Sequence, residues 1–139
     1  MMRQVFVDTS AWIAIADGGD FNHETALSHR DAIAGSCQLV VSNYIFDELY
    51  SLMLRNQGYQ ETTRFKAQLD KMIATGILEM VWVTEALAAE AWAVFEKFNV
   101  DKEWSFTDCV SYVIMKQRNI TEVFAFDHHF EQMGFVRKP

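Results

Sequence analysis

Apolar positions recur along the chain in two rhythms. Gln4–Val7, Gln38–Val41, Leu78–Val83 and Val123–Phe126 are short continuous runs, as expected of strands buried on both faces of a parallel sheet. Between them apolar residues return at the 3.6-residue period of an amphipathic helix. One stripe is Ile45, Leu49, Leu52 and Met53, and a second is Phe65, Leu69, Met72 and Ile73. Leu87, Ala91, Val94, Phe95 and Phe98 form a third, and Phe106, Val110, Val113 and Ile114 a fourth. Strands alternating with helices predict an α/β layer sandwich with right-handed crossovers. Two helices, near residues 43–57 and 60–75, follow each other with no strand between them. That hairpin carries extra apolar surface at Tyr44, Leu54 and Tyr59, which suits covering the sheet and meeting a partner equally well. Glycine supplies the punctuation: Gly35, Gly58, Gly76 and Gly134 each follow a helix-like segment, and Gly18-Gly19 marks a loop. None lies in a GxGxxG or GxxxxGK[ST] pattern, which removes the two commonest nucleotide-phosphate cradles.

The 139 residues fit a single domain, 1–139, and a chain that is half apolar can bury a real core. No apolar run approaches the roughly 20 residues that span a bilayer, and the first residues do not read as a signal peptide. Two cysteines without a CxxC pair argue against a disulfide framework or a zinc finger, so a reduced, cytoplasmic protein is expected. The net charge of −7 argues against holding nucleic acid by a basic surface. It leaves nucleic acid open as a substrate, because carboxylates loaded with divalent cations attract phosphate. Where the acids sit then matters more than their number.

Two apolar runs end in aspartate, at Asp8 and Asp127. Ligands of an open parallel sheet bind beyond the carboxyl ends of its strands, where both would lie. Each also precedes a helix-like segment and could be a simple N-cap. Glu48 falls within an apolar helix stripe, three residues after Ile45, where a carboxylate is costly unless paired or bound to metal. Asp108 stands three residues after Ser105, the spacing of a capping box, in a first helical turn that stabilises negative charge. Each acid has a structural explanation of its own. Four converging on one edge would repel one another unless divalent cations sat among them. Mg²⁺ suits such a set, and the chemistry implied is hydrolysis of a phosphodiester.

Val7-Asp8-Thr9-Ser10-Ala11-Trp12, Asp47-Glu48-Leu49, Ser105-Phe106-Thr107-Asp108-Cys109 and Phe126-Asp127-x-x-Phe130 together resemble the PIN-domain ribonucleases. The resemblance is strongest to the VapC-type toxins of toxin–antitoxin pairs. It spans nearly the whole chain. It implies a three-layer αβα sandwich around a parallel sheet of order 3-2-1-4-5, and a Mg²⁺- or Mn²⁺-dependent RNA endonuclease. Asp8, Glu48, Asp108 and Asp127 match the family's metal-binding acids. Ser10 and Thr107 match its hydroxyl positions, which orient a carboxylate or water. A homodimer and a protein antitoxin covering the acidic site are implied as partners, with no membrane.

Other features weigh less. His128 and His129 follow Asp127 and could touch RNA or act in proton transfer, but are more simply read as exposed histidines without a role. Arg55, Arg64, Lys66 and Lys71 could guide phosphates, although interspersed Glu61 and Asp70 fit a solvated helix face better. The four tryptophans read mostly as core, with Trp104 the one placed to stack a base. Asp17, Asp20 and Asp101 are weak additions to the acid set, and Cys109 lacks a histidine partner. Two alternatives remain. One is a non-catalytic PIN-like scaffold that binds RNA or protein. The other is a receiver-type signalling domain, which lacks support because a single Asp8 ends the first strand and no lysine follows Phe126.

Overall fold

Strand β1 (Arg3–Val7) runs through the middle of the molecule, and its Val5, Phe6 and Val7 are wholly buried. The structure, a computed structural model, describes residues 2–139. β1 pairs in parallel with β2 (Cys37–Ser42) on one side and with β4 (Glu122–Phe124) on the other. Phe6 stands opposite Val40 and Val123, so apolar residues meet across all three strands. β3 (Leu78–Val81) extends the sheet beyond β2, and β5 (Val136–Lys138) extends it beyond β4. The result is an all-parallel sheet of order 3-2-1-4-5. A receiver domain would show 2-1-3-4-5, so that alternative falls.

Each long crossover carries a pair of helices: α1 (Thr9–Ala16) with α2 (His23–Ile33), α3 (Asn43–Gln57) with α4 (Tyr59–Ala74), and α5 (Glu85–Phe98) with α6 (Phe106–Gln117). A single turn, α7 (His129–Gln132), joins β4 to β5. The chain steps from β1 to β2 to β3 in one direction, then returns past β1 to β4 and β5. Right-handed crossovers then put α1–α4 on one face of the sheet and α5–α7 on the other. The direction reverses between β1 and β4, which is where an open α/β sheet parts to form a crevice.

The helix stripes bury as their spacing requires. Ile45, Leu49 and Met53 of α3 are fully covered, as are Val110, Val113 and Ile114 of α6. The second helix of the hairpin is less firmly seated, since α4 fully buries only Leu69. Beside it a cavity of about 730 Å³ opens between α1, α2 and α4, lined by Trp12, Ile15, Ile33, Phe65, Leu69 and Met72. None of the four singled-out acids lines it. Gly35, Gly58, Gly76 and Gly134 all have φ between +79° and +92°, the left-handed region that an L side chain resists, which explains glycine as the stop signal.

Several expectations need correction. Helical pairing is not peculiar to residues 43–74, because all three long crossovers contain two helices. β3 ends at Val81 rather than Val83, where the Val83 N–H turns to the Asn43 side chain. β4 ends at Phe124 rather than Phe126, so Asp127 lies in the loop beyond the strand. Trp82 and Trp92 are exposed, the latter stacked on Phe95, so only Trp12 and Trp104 belong to the core. Trp104 is unavailable to a base: it packs on Phe98 and Tyr112, and its indole N–H donates to Gln132.

Candidate functional site

Asp8 is the N-cap of α1, as its position predicts: its carboxylate accepts from the Ser10 backbone N–H at 3.2 Å. The Ser10 hydroxyl donates to the same oxygen at 2.7 Å and accepts from the Phe126 N–H at 3.0 Å. One serine thereby ties the end of β1 to the segment leaving β4 and brings Asp127 toward Asp8's edge of the sheet. The local turn satisfies Asp8 as a cap while the topology carries it into the crevice.

Asp108 likewise realises its structural explanation. Ser105 Oγ accepts from the Asp108 N–H at 3.0 Å, and the Asp108 carboxylate accepts from the Ser105 N–H at 3.1 Å, a complete capping box. The same Oδ2 lies 2.8 Å from His129 Nδ1. Asp127 accepts from the His129 backbone N–H at 2.9 Å, and its Oδ1 lies 3.3 Å from the same Nδ1. Only acceptor oxygens face Nδ1, so Nδ1 carries the ring proton. Asp108, Asp127 and His129 each offer a donor atom, all within 4.8 Å of one another.

Asp8 and Glu48 stand around this triplet rather than inside it. Asp8 is only 5% exposed, and burial pushes its carboxyl up to about 7. The Ser10 bonds hold it down in part, while the charges of Asp108 and Glu48 raise it further. Those two carboxylates are therefore felt at Asp8 from the same edge. Glu48 is half-buried on α3 and makes no hydrogen bond or ion pair among the described residues, so the salt bridge that could have explained it is missing. Asp47 beside it is exposed. Thr107, one residue before Asp108, is half-buried and offers its carbonyl to Ser111.

The residue that sequence reasoning undervalued is His129. The sequence alone pairs it with His128 as an exposed histidine, but the two differ. The His128 side chain is 84% exposed and lies near only Glu131, whereas that of His129 is 30% exposed and wedged between two carboxylates. The one available signal was its place two residues after Asp127. The remaining candidates are accounted for locally. Asp17 and Asp20 accept from nearby backbone N–H groups, and Asp101 pairs with Lys102. Arg64 and Lys66 are paired along α4 with Glu61 and Asp70, as a solvated helix face predicts. Cys109 is buried and its thiol is pushed up to about 11, mainly by burial, which makes it a poor nucleophile.

The donor set fits a divalent cation that favours oxygen. Three carboxylates crowd one edge, and the most buried of them is driven toward its neutral form by burial and by its like-charged neighbours. A bound cation would reverse that balance.

A family model described as PIN domain matches residues 5–136. The 23S rRNA-specific endonuclease VapC20 of Mycobacterium tuberculosis is 30% identical over 132 residues, covering 95% of each protein. Its crystal structure, described as that of a sarcin–ricin loop cleaving toxin, superposes with a TM-score of 0.83 at 29% identity, over 95% of this chain and 96% of that one. FitAcB from Neisseria gonorrhoeae gives 0.68 at 15% identity, over 97% and 96% of the two chains. VapBC2 from Rickettsia felis, bound to a DNA fragment from its promoter, gives 0.67 at 11% identity over 97% of each. At these lower identities the likeness speaks for the fold alone.

Proposed function

Because this chain belongs to the PIN domain family, we propose that it is a metal-dependent endoribonuclease and the toxin of a type II toxin–antitoxin pair. The observations that support it are that Asp108 and Asp127 meet at His129, and that the charges of Asp108 and Glu48 reach Asp8, whose carboxyl is raised to about 7, mainly by burial. In this reading those four acids hold Mg²⁺ or Mn²⁺. Such an ion supplies Lewis acidity, lowering the pKa of an attacking water and neutralising charge that develops on the phosphate.

The chain's own residues prepare the site. Ser10 Oγ fixes the Asp8 carboxylate and anchors the Phe126 backbone, which keeps two acids from drifting apart. The Ser105 N–H fixes one Asp108 oxygen from behind. Thr107, next to Asp108, is the hydroxyl proposed to orient water or substrate. Such fixed polar groups reduce reorganisation when charge builds on the scissile phosphate.

Similarity to a 23S rRNA-specific endonuclease makes ribosomal RNA the first substrate to try. A protein antitoxin, a homodimer and a cytoplasmic location belong to the same proposal. No helix among the described residues is long and apolar enough to cross a membrane. The test is cleavage of purified ribosomes and of total RNA by the wild type and by Asp8→Asn, with Mg²⁺, Mn²⁺ or chelator. Metal-dependent cutting by the wild type alone is expected. If the wild type binds RNA without cutting in either metal, the non-catalytic scaffold takes over.

A further inference from the structure

The proposed metal-binding acids leave one well-placed group without a role. The His129 imidazole presents Nδ1 at 2.8 Å from Asp108 Oδ2 and 3.3 Å from Asp127 Oδ1. Neighbouring ligand atoms around an octahedral ion with bonds of 2.0–2.1 Å lie about 3 Å apart. Nδ1 therefore stands at that spacing from both carboxylate oxygens, and the three residues offer ligand atoms within 4.8 Å of one another. The ring is also held in place. Its backbone N–H is bound by Asp127, and the next residue, Phe130, is fully buried and anchors the turn. His128, by contrast, points to solvent.

We infer that His129 ligates, through Nδ1, the same divalent ion that Asp108 and Asp127 hold, and thereby tilts the site toward Mn²⁺ over Mg²⁺. The inference rests on the proposed metal-dependent nuclease and adds a ligand and an ion preference to it. Mg²⁺ is a hard ion that seeks oxygen and keeps its waters, whereas imidazole nitrogen suits first-row transition ions. An all-carboxylate site would lack this bias. On loading, the ion takes the place of the Nδ1 proton, which leaves to solvent while Nε2 takes one up, so the ligand is the neutral imidazole.

The test is pulsed electron paramagnetic resonance of Mn²⁺ bound to the wild type, together with calorimetric titrations of Mn²⁺ and of Mg²⁺. The wild type should show nitrogen modulation of the bound Mn²⁺. His129→Asn should lose that modulation and lose Mn²⁺ affinity by at least the roughly tenfold seen when a ligand's supporting partner is removed. Its Mg²⁺ affinity should change less, and the exposed-residue control His128→Asn should keep both signals. Should His129→Asn fail to fold, the modulation in the wild type and in His128→Asn decides the matter. Mn²⁺ binding without nitrogen modulation, or an unchanged Mn²⁺-to-Mg²⁺ preference in His129→Asn, overturns the inference and leaves the nuclease proposal standing. Absence of any metal binding by the wild type overturns both.

Discussion

A carboxyl group as buried as Asp8, with two other acids nearby, destabilises the fold that contains it. In the unfolded chain it ionises near its ordinary value of 3.8, while in the folded chain it keeps its proton up to about 7. Between those values the native state binds more protons than the unfolded state. Asp8's contribution to stability therefore falls as pH rises through that window, and levels off above it. With chelator present, Asp8→Asn should be more stable than the wild type at pH 7.5 by about 1–2 kcal/mol, the usual gain on relieving a strained functional site. The gap should close toward pH 4 in thermal melts, while RNA cleavage is lost at every pH. At this scale the acids were legible because a carboxylate at the end of an apolar run, or inside a helix stripe, breaks a pattern. The cap roles of Asp8 and Asp108 were legible too, whereas the N-cap of α7 is His128 and not Asp127, which binds the His129 N–H instead. His129 was not legible. Its meeting with Asp108 spans 21 residues and depends on how the turn after β4 is laid down, which local pattern does not encode.

Elements differ in how firmly they are held. α6 buries seven residues from Asp108 to Met115, whereas α4 fully buries one and borders a large cavity. Opening free energy follows buried apolar contact. Amide hydrogens of α4 should accordingly exchange well before those of α6 when followed by mass spectrometry, and Leu69→Ala should widen that difference. The same contrast explains which elements the sequence pattern revealed. β1, β2 and β4 are central strands and read as unbroken apolar runs. β5 is a three-residue edge strand with only Arg137 partly covered, too short and too polar to register. α2 buries only Ala26 and Ile33, so just its stop signal at Gly35 announced it.

For the whole molecule, metal and fold should be thermodynamically linked. An ion that binds only the native state at 100 times its Kd adds about 2.7 kcal/mol of stability. Mn²⁺ should raise the melting temperature of the wild type, and Asp108→Asn should abolish that rise without preventing folding. The layered α/β class was legible from alternating rhythms. The order of strands was not, and came only with the resemblance, because pattern says which strands are buried and not which are neighbours. That order has a consequence for timing. Ser10 holds the site together through Phe126, 116 residues further along the chain, and β1 cannot complete its pairing until β4 has been made. Synthesis runs from the amino end, so Asp8, Glu48 and Asp108 exist long before the segment that gathers them. A chain interrupted between Asp108 and Asp127 would carry three of the four acids and no assembled centre. The proposed nuclease would then be harmless for most of its own manufacture.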